Sequence, residues 1–112
     1  MRLLEGICMN TFITNKMALD KAFDMKQIIT EEIRVNPDDV HISVLPDSTY
    51  PLAKFTSRNG KLWKVGYIFG LNLFTVRVFL TAAAVDADSP EVHEMGANLS
   101  DTLIKALALS KK

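Results

Sequence analysis

The chain has 112 residues, 48% of them hydrophobic and 23% charged, with five glycines and four prolines; this is apolar mass enough for one core, and it excludes disordered, collagen-like and low-complexity classes. Thirteen basic and thirteen acidic side chains cancel, so no overall field draws the chain toward nucleic acid or an anionic membrane, and a charged partner must be met by a local patch. Cys8 is the single cysteine, which excludes an intrachain disulfide or a cysteine-based zinc site and fits a reducing, cytoplasmic setting.

Residues 3–13 read as a first strand. Glu5 interrupts the apolar run after Leu3 and Leu4, so no secretory signal core forms there. Residues 15–35 place Ala18, Ala22, Met25, Ile29 and Ile33 on one stripe at helical spacing, with Asp20, Asp24, Gln27 and Glu31 opposite. Thr14 or Asn15 can cap this helix. Asn36-Pro37 ends it, because proline disfavours a helical conformation in the residue before it.

Residues 40–45 alternate, with Val40, Ile42 and Val44 on one side and His41, Ser43 and Leu45 on the other, the period of a half-buried strand. A second extended run, 52–57, leads into Arg58-Asn59-Gly60-Lys61, the strongest hairpin signal in the chain. A two-residue turn would set Lys54 opposite Val65 and Thr56 opposite Trp63. A three-residue loop with Gly60 left-handed sets Ala53 opposite Val65 and Phe55 opposite Trp63, apolar against apolar, and is the expected form. In the next hairpin, Trp63, Val65, Tyr67 and Phe69 share a face with Phe74, Val76, Val78 and Leu80 only if the loop near Gly70-Leu71-Asn72 has an even number of residues. The apolar-rich stretch 65–85 is broken by Gly66, Gly70, Asn72 and Arg77, so it reads as strands and not as a membrane helix.

Ser89-Pro90-Glu91 is a good helix start, and Val92, Met95, Leu99, Leu103, Ala106 and Leu107 then recur at helical spacing up to Lys111-Lys112. The expectation is one α+β domain over residues 1–112. It is a two-layer sandwich, an antiparallel meander of four to five strands with two helices packed on the Trp63 face, in the order β-α-β-β-β-β-α.

The opposite face of the sheet carries cations and apolar side chains and no acid. Leu62, Ile68, Leu73 and Phe79 are candidates for a contact patch, meeting a protein partner or a second copy of the chain as a homodimer. Lys54, Arg58, Lys64 and Arg77 support an alternative, phosphate contacts to single-stranded nucleic acid with Phe79 stacking on a base; zero net charge and one suitably placed aromatic make that footprint thin. A solvated face would also carry such residues.

Catalytic constellations are weak. Asp38, Asp39 and His41 could serve a small hydrolase as acid, base and orienter, but the same residue types suit a helix-to-strand turn. His41 and His93 have no metal-binding spacing, and Gly66 and Gly70 lie on or beside strands and not in a phosphate loop. No cofactor, metal or membrane partner is expected. The residues point to a small intracellular, non-catalytic interaction module acting through an open sheet face or a strand edge, and away from an enzyme.

Overall fold

The computed structural model describes residues 14–45 and 50–110. Helix α1 (Asn15–Ile33) is followed by a 3-10 turn (Pro37–Asp39) and the strands β1 (His41–Leu45), β2 (Tyr50–Thr56), β3 (Leu62–Ile68) and β4 (Leu73–Phe79). A short helix α2 (Ala82–Asp86), a fifth strand β5 (Val92–Gly96) and helix α3 (Leu99–Ser110) complete the described chain. The five strands pair antiparallel in sequence order, giving an α+β fold. No described helix is long and apolar enough to cross a membrane. The strand expected over residues 3–13 lies outside the described residues.

Helix α1 starts where its cap residue allows: the Met17 amide donates to Thr14 Oγ1 at 3.2 Å. It ends at Ile33, two residues before the expected limit; the Arg34 amide still donates to the Thr30 carbonyl at 3.1 Å, and the left-handed backbone of Arg34 (φ 64°) then turns the chain out of the helix. Asn36 then caps the 3-10 turn by accepting from the Asp38 amide at 2.9 Å. The buried stripe of α1 is Ala18, Ala22, Met25 and Ile29. It packs with Leu99, Leu103 and Ala106 of α3 over Ala53, Phe55, Trp63, Val65, Val76, Val78 and Val92. Trp63 is stacked on Phe55 with ring centroids 5.4 Å apart, at the centre of this layer. Each large side chain buried here contributes about 1.5–3 kcal/mol relative to exposure.

Both hairpins have the expected register. Ala53 faces Val65 and Phe55 faces Trp63. Gly60, at φ 84°, closes a three-residue loop whose amide donates to the Ser57 carbonyl, while Ser57 and Lys61 keep one ladder hydrogen bond. Tyr67 faces Phe74 and Ile68 faces Leu73, leaving the even loop 69–72.

Three expectations are corrected. The C-terminal helix does not begin at Ser89. Val92–Gly96 forms β5, whose backbone satisfies the outer side of β4, and Val92 alternates into the core as well as it would have done on a helix. The helix proper starts at Leu99, with Asn98 Oδ1 accepting from the Asp101 amide. Leu80, expected on the core face, lies past the end of β4 and is 57% exposed. Finally, α2 was not foreseen: Thr81 caps it through the Ala84 amide at 3.1 Å, and it packs against β4. The described order is therefore α-β-β-β-β-α-β-α.

Candidate binding face

Helices α1 and α3 cover one face of the sheet only. On the other, pairing aligns one residue from every strand: His41 opposite Lys54, Lys54 opposite Lys64, Lys64 opposite Arg77, and Arg77 opposite His93. Directly opposed side chains stand about 5 Å apart at Cβ. Four gaps of about 4.8 Å make this a row about 19 Å long crossing all five strands. Lys54, Lys64 and Arg77 were expected together; the two histidines were not, because their places in the row depend on which strands become neighbours. Arg58 lies off the row, exposed on the tip of the β2–β3 hairpin.

The row is not uniformly neutralised. Arg77 is held by Asp88 at 3.0 Å, an acid placed by the turn after α2. Among the described residues, no carboxylate lies within ion-pair distance of Lys54 or Lys64. Like charges opposed across strands repel, so the Lys54–Lys64 pair costs the fold stability in the absence of a counter-anion, while the charge of Arg77 is offset by Asp88.

The four apolar candidates do not form a single patch. Leu62 pairs with Phe79 at one end of β3 and β4, and Ile68 pairs with Leu73 at the other, about 20 Å away by strand rise. Phe79 is corrected as a contact residue: it is completely buried, under the Lys64 side chain, whose Nζ is 5.8 Å from the ring centroid. Its removal from the surface also takes away the ring that was to stack on a base. Between the ends, Tyr50 crosses the face. Its hydroxyl is 3.1 Å from Thr75 Oγ1 of β4, two strands away, and its ring occupies the space above Gly66. Ile68, Leu73 and Leu62 are half-buried.

Beside the Lys54 end of the row is a groove of about 410 Å³. Its lining includes Asp39, His41, Lys54 and Lys64, with Leu62 and Val85 as apolar walls. Val85 comes from α2, so this small helix forms one bank of the groove. Asp39 and His41 thus share a site, whereas Asp38 is an exposed residue of the 3-10 turn outside it. Among the described residues no three His, Cys, Asp or Glu side chains converge as metal ligands. Comparison with protein-family models, with curated proteins and with solved structures finds no match for this chain.

A second exposed apolar set was missed in the sequence. Leu19 and Phe23 lie on the outer side of α1, beside its buried stripe, where helical periodicity alone gives the stripe no sharp edge.

Proposed function

We propose that this chain is a non-catalytic binding module that takes an acidic protein partner on the open face of its sheet. The observation that carries the reading is the His41, Lys54, Lys64, Arg77, His93 row, five residues from five strands with no acid among them. The opposed Lys54 and Lys64 amines repel each other at a cost in stability that a partner of opposite charge offsets. A second copy of the chain fits this face less well, since a two-fold contact sets the same surface against itself and would bring cations toward cations. Single-stranded nucleic acid has the phosphates but finds Phe79 buried, leaving the face without its expected stacking ring.

The test is retention on immobilised polyglutamate at low salt, with polylysine as the control matrix. The wild type is expected to be retained on polyglutamate and released as salt rises, with Lys54→Glu/Lys64→Glu eluting early. The charge-matched pair Lys16→Glu/Lys26→Glu, on α1, is expected to elute as the wild type does. Equal loss in both pairs would make retention a matter of net charge and remove the face from consideration. Light scattering supplies the other arm: a salt-insensitive dimer split by Leu73→Asp would make the face a self-contact and overturn the reading.

A further inference from the structure

The groove beside Lys54 and Lys64 combines two chemistries in one place. The Lys54 and Lys64 amines and the His41 imidazole stand on its sheet side with one carboxylate, Asp39, at its margin, and Leu62 with Val85 gives it an apolar wall. At about 410 Å³ it falls within the range of side-chain and small-ligand sites, so it has room for one large apolar side chain with a carboxylate on either side. The Val85 side of that wall is supplied by α2 and not by the sheet. It exists because Thr81 caps α2 and the Asp88 turn follows it, with Arg77 paired to Asp88 holding that turn against the row. That pair leaves the two amines nearest the groove without a described acid partner.

Resting on the reading above, we infer that the groove is the anchor subsite of the face, and that it takes one leucine-like or phenylalanine-like side chain of an acidic peptide segment whose neighbouring carboxylates meet Lys54 and Lys64. The charge row supplies attraction and on-rate, and the groove supplies register and discrimination. An extended segment at about 3.3 Å per residue crosses the 19 Å row in about six residues, so a ten-residue peptide is long enough to engage both.

The experiment is fluorescence anisotropy with three labelled probes: a ten-residue Asp/Glu-rich peptide with one central leucine, the same peptide with serine in its place, and a ten-nucleotide oligo-dT. The leucine peptide is expected to bind the wild type about tenfold more tightly than the serine peptide. Val85→Ser is expected to abolish that preference while keeping the weaker binding, and Lys54→Glu/Lys64→Glu to weaken both peptides at least tenfold. Lys64→Gln serves as the milder variant, with circular dichroism confirming that each protein is folded. Equal affinity for the two peptides, with both lost in Lys54→Glu/Lys64→Glu, would sink the anchor and leave the acidic-partner reading standing. Peptide binding unaffected by the lysine changes would overturn both. Tighter binding of oligo-dT than of either peptide, lost in the same variant, would overturn both in favour of nucleic acid.

Discussion

At the level of single residues, two glycines show how differently one residue type can be required. Gly60 sits at φ 84° with open space around its missing Cβ, so its role is conformational alone. Gly60→Ala should destabilise the protein by about 1–2 kcal/mol, and Gly60→Asn by less because asparagine tolerates the left-handed region; chemical denaturation of the three proteins measures the order. Gly66 is in ordinary extended backbone, and what it supplies is room: a Cβ there would lie 2.0 Å from the Tyr50 hydroxyl. Gly66→Ala should therefore push Tyr50 off Thr75 at a cost of about 1–3 kcal/mol. In a Tyr50→Ala background the same change should cost much less, and a double-mutant cycle reads the difference as coupling. Lys61 illustrates a third kind of residue, one that ties elements together. Its amine, largely buried, pairs with Glu91 at 2.5 Å and donates to the Ser110 carbonyl at the end of α3, where a cation suits the helix dipole.

Among the elements, α2 has the largest consequence for its size. Five residues are too few to hold a helix by themselves, so its stability comes from the Thr81 cap and from packing on β4. Thr81→Ala should cost about 1 kcal/mol by the loss of the cap, and because α2 is a local unit the effect should be concentrated there. Hydrogen exchange at the Ala84 and Val85 amides is expected to speed up while the β2–β3 ladder is unchanged; uniform acceleration across the sheet would mean that α2 is part of the global cooperative unit. The β5 segment teaches a related lesson. Local periodicity favours a helix, which would set Val92 and Met95 on one side, whereas in β5 they fall on opposite faces and Met95 is 47% exposed, so local pattern does not choose the strand. The unpaired edge of β4 does, since its amides and carbonyls need partners that a helix starting at Ser89 would not provide.

For the molecule as a whole, zero net charge conceals a segregation: acids are absent from the cross-sheet row and present at its margins in Asp39 and Asp88. Lys64→Glu would place an acid between Lys54 and Arg77, converting two repulsive neighbours into attractive ones. It should raise stability by about 0.2–1 kcal/mol and raise the melting temperature, while weakening retention on polyglutamate. Calorimetry of the two proteins checks the sign, and a fall in melting temperature would show that the row is not strained.

What the sequence by itself determined was everything that depends on local periodicity and on pairing across a short loop. The α1 stripe, the bulged turn at Gly60, the even loop after Ile68 and the faces of the β2–β4 meander up to Phe79 follow from spacings of two and 3.6 residues and from the need to set apolar beside apolar. Only the tertiary structure decided what depends on distant segments meeting. His41 and His93 are fifty-two positions apart in number, and they share a row only because β1 and β5 take the two outer places of the described sheet. Phe79 belongs to the open face by alternation, yet it is completely buried, with the Lys64 amine of the neighbouring strand over its ring. The groove needs Asp39, Lys54 and Val85 from three separate stretches of chain, and no local pattern records that they converge. Local pattern sets which way a side chain points; long-range packing sets what it meets there.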